Sequence, residues 1–272
     1  MSATMATLEE IKTIRSDAEK IEWYHTLELA PGVTTKGWFD TRSLPDQIGF
    51  PADLSGKRCL DVATFDGFWA FTMEKRGASE VVAIDVPDPK SWDWPANSSL
   101  EVIDEIGRRR PGAGFALAAK VAESRVQRRE LSVYDLDPEA VGTFDFVYVG
   151  SLLLHLRDPV GALMKVRSVT SGSVLVVDAI RSSPLAGRRP SATLDGVGRP
   201  WWWKPNLAAL VRMVEAAGFR ASGPFPRFRI PAGSAQGKPQ PSLSLIRNRA
   251  AREAATIARF GDPHAAVLAH PS

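Results

Sequence analysis

The sequence contains little cysteine and no long apolar segment. Cys59 is its only cysteine, so no disulfide can form within the chain, which is typical of proteins from reducing compartments. No apolar run approaches the roughly 20 residues that a membrane-spanning helix needs, and the N-terminus lacks the apolar core of a secretory signal peptide. These absences exclude a disulfide-stabilised scaffold and predict a cytoplasmic protein that does not contact a membrane.

A strong excess of charge of one sign is also lacking. The 272 residues carry a formal net charge of +3, which is too small to indicate nucleic-acid binding by itself. Apolar residues make up 44% of the chain and charged residues 24%, as in an ordinary globular domain. A small-molecule partner is therefore favoured, while nucleic acid and a homo-oligomeric state remain open.

Short apolar segments alternate with amphipathic ones from residue 51 onward. The apolar segments have the composition of strands buried on both faces, and the segments between them have helical spacing. The clearest strands are predicted at residues 58–62, 81–84, 144–149 and 173–178. This alternation predicts an α/β fold with a mainly parallel, Rossmann-like sheet.

The pattern divides the chain into three parts. Residues 1–50 begin with an amphipathic helix and continue with scattered aromatics and prolines, which indicates an N-terminal helical and loop cap. Residues 51–246 contain the alternating pattern and end in an edge strand predicted at residues 242–246. Residues 247–272 are predicted to form a helical, partly disordered C-terminal tail.

The loop after the first predicted strand has only one glycine. It reads Asp61-Val-Ala-Thr-Phe-Asp-Gly67, whereas dinucleotide-binding loops contain three glycines, which let the pyrophosphate approach the backbone. Ala63, Phe65 and Gly67 stand at the comparable positions, and the Phe65 side chain would obstruct a pyrophosphate. S-adenosylmethionine (SAM) has no phosphates, so the loop favours SAM over NAD. A domain of this fold class without a cofactor is the alternative interpretation.

An acidic residue ends the second predicted strand. A carboxylate at the position of Asp85 can accept hydrogen bonds from ribose hydroxyls. SAM contains a ribose, so Asp85 is a candidate cofactor-binding residue.

Several motifs together resemble one branch of the class I SAM-dependent methyltransferases. The loop matches the acid-x-Gly-x-Gly-x-Gly motif of that class at Asp61 and Gly67 only. Over residues 22–230 the chain is similar to the tRNA wobble-uridine carboxymethyltransferase family. The matching motifs are Trp23-Tyr-His25, Gly37-Trp-Phe-Asp40, Leu54-Ser-Gly-Lys-Arg58, Asp66-Gly-Phe-Trp69, Arg76-Gly-Ala78, Ser132-Val-Tyr-Asp-Leu136 and Leu153-Leu-His-Leu-Arg-Asp-Pro159.

The resemblance implies a cofactor role for residues at four strand ends. The methionine end of SAM would lie along the loop, the ribose at Asp85, the adenine between Ser132 and Val133, and the sulfonium beside Gly150 and Ser151. The loop residues in contact would be Asp61, Ala63, Thr64, Phe65 and Gly67. The tRNA-modifying relatives use carboxy-SAM, whose extra carboxylate is held with the help of a lysine-glycine pair. Lys36 could match that lysine, or it could be a surface residue.

Two histidines are candidate catalytic bases. His155 follows the fourth predicted strand, on the side where open α/β sheets bind ligands, and an imidazole titrates near neutrality. A helix-capping or packing role is the alternative. His25 lies in the cap between aromatic residues, so packing explains it equally well. No spacing typical of a metal site is present, and carboxylates such as Asp178 are interpreted as solvated or capping.

Three consecutive tryptophans are candidate substrate contacts. Trp201, Trp202 and Trp203 cannot all face one core within a regular element, so at least one of them lines a pocket or the surface. Stacking on a sugar, an aromatic acceptor or a base would suit such a residue. Burial of the three rings as a wedge in the core is the alternative.

These features predict an enzyme that methylates the oxygen of a small polar acceptor, such as a sugar or a natural-product intermediate, with His155 as base. One alternative is modification of the tRNA wobble uridine with carboxy-SAM. Another is a SAM-binding module without catalysis.

Overall fold

The computed structural model describes residues 7–101, 103–104, 110–181, 189–194, 201–237 and 249–272. Its strands, in chain order, are β1 (Trp23–His25), β2 (Glu28–Ala30), β3 (Val33–Thr34), β4 (Gly37–Phe39), β5 (Arg58–Val62), β6 (Glu80–Asp85), β7 (Gln127–Glu130), β8 (Phe144–Gly150), β9 (Thr170–Ala179), β10 (Ala192–Leu194), β11 (Trp203–Pro205), β12 (Phe219–Ser222), β13 (Arg227–Ile230) and β14 (Asp262–Pro271).

The helices separate the strands as the alternating pattern predicts. They are α1 (Leu8–Ala18), α2 (Phe68–Lys75), α3 (Ala113–Val121), α4 (Pro138–Val141), α5 (Pro159–Val169), α6 (Leu207–Ala216) and α7 (Arg249–Phe260). Side chains that accept backbone N–H groups fix several helix starts, as Asp158 does for α5 and Asn206 for α6. Among the described residues, no helix has the length and apolar character to cross a membrane.

The central sheet has eight strands. Seven of them follow the order β12-β14-β9-β8-β5-β6-β7, and β13 also pairs with β14. The five strands from β9 to β7 are mutually parallel, and β14 is antiparallel to its neighbours. The chain reverses direction across the sheet at β5, so the loop after β5 lies at the switch point where open α/β sheets bind ligands.

Both faces of the sheet are covered. Successive residues of a strand point to opposite faces, and Leu60 and Val62 pack on the side of α5 and α6. Cys59 faces the other side, where α2, α3 and the residues of the cap pack. Trp23, almost fully buried, belongs to this second core. The α/β fold with a buried, mainly parallel sheet is confirmed.

The C-terminal segment differs from the prediction. Helix α7 is present as expected, but residues 262–271 are an ordered strand, and the predicted partial disorder is wrong for them. Strand β14 lies between β9 and β12, and Val267 at its centre is fully buried. The prediction failed because this segment is short and sits at the end of the chain, where terminal disorder is common. Residues 242–246, the predicted edge strand, lie outside the described residues.

The N-terminal segment packs against the cofactor-loop side of the sheet. Strands β1 and β4 form a parallel pair, and β2 and β3 form a small antiparallel hairpin. The backbone of Asp40, just after β4, bonds to Pro231 beside β13. The division at residue 50 stays a prediction, since the aromatic core is continuous across it through Phe50, which contacts Trp69.

Candidate active site

The loop between β5 and α2 has an unusual backbone. The φ angles are 61° at Ala63, 49° at Phe65 and 87° at Gly67, all in the left-handed region. These are the three positions at which related loops carry glycine. This conformation costs an L-residue roughly 1–2 kcal/mol. At Ala63 and Phe65 the loop nevertheless follows a glycine-type path, that is, the left-handed backbone conformation that glycine adopts without strain.

Gly67 cannot be replaced in the same way. A Cβ atom there would meet the rings of Phe71 and Phe115 at contact distances that real side chains do not show. Its amide donates to the Thr64 carbonyl at 2.8 Å, and α2 begins at the next residue. Gly67 therefore sets the sharp turn that directs the free amides at the start of α2.

Two carboxylates flank this loop. The Asp61 side chain, buried at the end of β5, accepts a hydrogen bond from the Ala70 amide at 3.1 Å, and burial raises its pKa to about 7. Asp85, at the end of β6, accepts from the amides of Phe65 at 2.7 Å and Val86 at 2.8 Å. Burial raises its pKa, although its side chain is only half-buried. Asp85 is therefore within reach of a ligand that lies across the loop.

Asp66 connects the loop to the cap. One carboxylate oxygen accepts from the amides of Tyr24 at 2.6 Å and His25 at 3.0 Å. Burial raises the pKa of Asp66 to about 7. Sequence reasoning quoted Asp66 in a motif but assigned it no role. The sequence did contain a signal for this contact. Asp66 is an acid within the loop, and the Trp23–His25 motif of the cap belongs to the same resemblance, which together indicate that the two segments meet.

His25 is enclosed by aromatic rings. Its ring stacks on Phe68 with centroids 5.7 Å apart and meets Tyr24 edge-on at 4.8 Å. Burial lowers its pKa to about 3, so His25 is neutral at pH 7 and a weak base. The geometry fits the packing role that the sequence left open, and the catalytic role stays a prediction.

The residues expected at the adenine follow β7. Ser132 caps a short 3₁₀-helix by accepting from the Tyr134 amide at 3.3 Å, and Val133 is buried in the core. The Leu131 amide bonds to the Asp85 carbonyl, which brings this segment beside the end of β6.

The end of β8 has two special residues. A Cβ atom on Gly150 would overlap the Tyr148 side chain, so that position requires glycine. Ser151 has a φ of 49°, and its hydroxyl lies 2.9 Å from Nε2 of His264 in β14. No sequence signal pointed to His264, because it stands in the segment predicted as a tail.

The tryptophan segment packs beside the short helix that carries His155. The Trp202 amide donates to the Leu154 carbonyl at 2.7 Å, and its indole donates to the Asp93 carbonyl at 2.6 Å. The Trp203 indole donates to the Arg157 carbonyl at 3.1 Å. All three tryptophans are half-buried, and His155 is exposed. The segment therefore forms a wall next to the β8 end, and its role in substrate binding stays a prediction.

Lys36 lies just before β4 in the cap. It is exposed and lines a cavity of about 260 Å³ formed by α1, the turn after it, and residues 32–36. The lining residues of that cavity include Arg15 and Glu19 but none of the loop residues. This position offers no support for a contact between Lys36 and a cofactor carboxylate.

The sequence is similar to that of several curated tRNA-modifying proteins. No family model matches the chain. A tRNA U34 carboxymethyltransferase of Dichelobacter nodosus (strain VCS1703A) is 28% identical over 169 residues, which cover 61% of this chain and 47% of that protein. The chain thus spans about half the length of the curated relatives it matches.

Solved structures share the whole fold. The N-terminal domain of EvdMO1, crystallised in the presence of SAH and D-fucose, has a TM-score of 0.54 and 15% identity, with both chains fully covered. The 1,6-didemethyltoxoflavin-N1-methyltransferase of Burkholderia thailandensis, with 1,6-didemethyltoxoflavin and S-adenosylhomocysteine bound, has a TM-score of 0.50 and 15% identity, covering 100% of this chain and 93% of its own. The chain has the class I methyltransferase fold.

Within this class I methyltransferase fold, the structure brings together the residues expected around the cofactor loop. Asp61 and Phe65 belong to the loop, and Asp85 bonds to the Phe65 amide. Ser151 follows the end of β8. The fold and the resemblance expected from the sequence are confirmed. The individual cofactor contacts stay predictions.

Proposed function

We propose that this protein is a SAM-dependent methyltransferase that transfers the methyl group to an oxygen of a small polar acceptor. The observation that carries the proposal is the loop of residues 61–67, with its three left-handed positions beside Asp85. When bound, SAM supplies a methyl group activated by its sulfonium.

The side chains and backbone amides at the loop suit SAM better than a cofactor with a pyrophosphate. The Phe65 side chain stands where a pyrophosphate would need a bare backbone, and Asp85 can accept hydrogen bonds from the ribose hydroxyls of SAM. Asp61 and the amides at the start of α2 would hold the amino-acid end of SAM. Ser132 and Val133 would flank the adenine, and Gly150 would leave room near the sulfonium.

Three observations support a small acceptor. The net charge of +3 provides little electrostatic attraction for nucleic acid. The tryptophan wall beside the β8 end offers aromatic faces on which a sugar can stack. The EvdMO1 domain, which shares the fold, was crystallised in the presence of SAH and D-fucose. His155, on the same short helix, stays a candidate base.

Titration calorimetry with SAM, S-adenosylhomocysteine and carboxy-SAM tests the cofactor. We expect binding of SAM, and at least about tenfold weaker binding in Asp85→Asn, because about 1.4 kcal/mol of charge-assisted hydrogen bonding is lost. The matched control is Glu139→Gln, an exposed carboxylate on α4, which should leave the affinity unchanged. Absence of SAM binding in the wild-type protein would refute the proposal.

The acceptor is tested by following S-adenosylhomocysteine formation with a panel of hexoses, deoxyhexoses and phenols. We expect turnover with at least one hydroxyl acceptor. SAM binding without turnover on any acceptor would favour the module without catalysis.

Modification of the tRNA wobble uridine is the second candidate function. It is favoured by the 28% identity to the Dichelobacter nodosus carboxymethyltransferase. It requires tighter binding of carboxy-SAM than of SAM, and tRNA binding that weakens steeply with salt. Tight SAM binding together with no detectable tRNA binding would exclude it.

A further inference from the structure

Residues from two distant parts of the chain, Ser151 and the start of β14, meet at the end of β8. The Ser151 hydroxyl lies 2.9 Å from Nε2 of His264, and Nδ1 of His264 lies 3.1 Å from the backbone carbonyl of Asp262. The Asp262 carboxylate is 3.8 Å from the same Nδ1, and its other oxygen is buried without a hydrogen-bond partner among the described residues. His264 itself is only 2% exposed.

The hydrogen bonds determine which nitrogen of His264 carries the proton. A backbone carbonyl only accepts, so Nδ1 must be the N–H donor toward Asp262. In the neutral ring Nε2 then has a free lone pair and accepts from the Ser151 hydroxyl. Burial lowers the pKa of His264, which keeps the ring neutral at pH 7.

The ring of Tyr24 in β1 lies beside the loop. Its centroid is 5.3 Å from that of the Phe65 ring, and Ser151 is near its phenol. Burial raises the pKa of Tyr24, so the phenol is protonated at pH 7. The Ser151 hydroxyl donates toward Nε2 of His264, and its oxygen keeps lone pairs that can accept a hydrogen bond from an acceptor hydroxyl.

We propose, resting on the proposed function, that Ser151 removes the proton of the acceptor hydroxyl and that His264 receives it as a positioning residue behind Ser151. In this step the acceptor O–H bond breaks and the O–CH₃ bond forms. The S–CH₃ bond breaks, and its electron pair stays on sulfur. The acceptor proton goes to Ser151 Oγ while the Ser151 proton goes to Nε2. The resulting imidazolium is stabilised by the Asp262 carboxylate and later releases its proton to solvent.

The charges around the imidazole fit this role. Asp262 favours the imidazolium and Lys204 opposes it, and the Lys204 charge is itself paired with Glu253 at 2.6 Å. Asp178 lies nearby and is engaged by the Leu153 amide at 2.7 Å. His155, by contrast, is exposed. In the relay, Ser151 contacts the acceptor and His264 of β14 acts through Ser151.

Nitrogen NMR of the ¹⁵N-histidine-labelled full chain tests the proton direction without any acceptor. The His264 signals are assigned by their loss in His264→Gln. We expect Nδ1 to be protonated and Nε2 to be a hydrogen-bonded acceptor, whose signal shifts in Ser151→Ala. A proton on Nε2, or no response of Nε2 to Ser151→Ala, would overturn the relay.

Kinetics on the hydroxyl acceptor found in the panel test the role in transfer. We expect kcat to fall about 100-fold or more in both Ser151→Ala and His264→Gln, with the KM for the acceptor within about threefold of wild type. The matched control is His270→Gln, the same substitution at the far end of β14, which should retain kcat. Ser151→Ala removes only a hydroxyl, so it remains informative if His264→Gln fails to fold.

The outcomes separate the two proposals. An active wild-type protein whose Ser151→Ala and His264→Gln variants retain full kcat overturns the relay alone. If that protein loses kcat in His155→Gln instead, the base is His155. A wild-type protein that binds no SAM or methylates no hydroxyl overturns the proposed function, and the catalytic relay with it.

Discussion

The loop of residues 61–67 and the Ser151–His264 pair lie at the same end of the sheet but are assembled differently. The loop is one continuous segment whose geometry depends on its own backbone angles. Ser151 and His264 are 113 residues apart and meet only because β14 lies next to β9. The proposed cofactor half of the site is thus local in the chain, while the proposed acceptor half depends on long-range strand pairing. Substitutions should therefore affect the two halves through different physical causes.

The largest effect is expected where β14 is disrupted. Val267 pairs with Val176 of β9 and is fully buried, so Val267→Asp places an unpaired charge in the sheet. We expect a loss of about 4 kcal/mol or more in the free energy of unfolding, or no cooperative folding at all.

Denaturant unfolding followed by circular dichroism measures this loss. Pro271→Ala, at the partly exposed end of the same strand, is the control and should stay within about 0.5 kcal/mol of wild type. A Val267→Asp protein with wild-type stability would mean that β14 is peripheral and that the acceptor half does not depend on it.

The same contrast explains what could be predicted from sequence. Asp61, Gly67 and Asp85 were identifiable because turns, strand ends and close backbone approaches impose local residue requirements. The left-handed backbone angles of Ala63 and Phe65 could not be predicted, because glycine, the residue that normally indicates such angles, is absent at both positions. His264 could not be found, since nothing in a short apolar terminal segment indicates which strand it will pair with.

An intermediate effect is expected at Asp66, where the loop meets the cap. Its pKa is about 7 in the folded protein and near 3.8 in the unfolded chain. At pH values between about 4 and 7, the Asp66 carboxyl is protonated in the folded protein and ionised in the unfolded chain. The uptake of this proton on folding stabilises the fold at the low end of that range. That contribution is lost as the pH rises from about 4 through about 7. We expect wild type to lose roughly 2 kcal/mol relative to Asp66→Asn between pH 5 and pH 8.

Chemical unfolding of both proteins at several pH values gives this difference. Other buried acids, such as Asp61 and Asp178, also contribute to the wild-type profile, so the comparison with Asp66→Asn isolates one group. The exposed carboxylate of Asp135 provides the control, and Asp135→Asn should leave the wild-type profile unchanged. Parallel profiles for wild type and Asp66→Asn would show that folding does not raise the pKa of Asp66.

The smallest expected effect on stability concerns the loop. Replacing alanine with glycine should stabilise the protein at Ala63 in the loop and destabilise it at Ala116 in helix α3. Ala63 has a φ of 61°, so Ala63→Gly relieves roughly 1–2 kcal/mol of left-handed strain and costs about 0.5–1 kcal/mol of backbone entropy. We expect a net stabilisation of about 0.5 kcal/mol.

Ala116, exposed in helix α3, has ordinary helical geometry, so Ala116→Gly should destabilise the protein by about 1 kcal/mol. Thermal and denaturant unfolding of the two variants measures both. If Ala63→Gly destabilised the protein as much as Ala116→Gly, the loop would not follow a glycine-type path. The local origin of the cofactor half would then lose its main support.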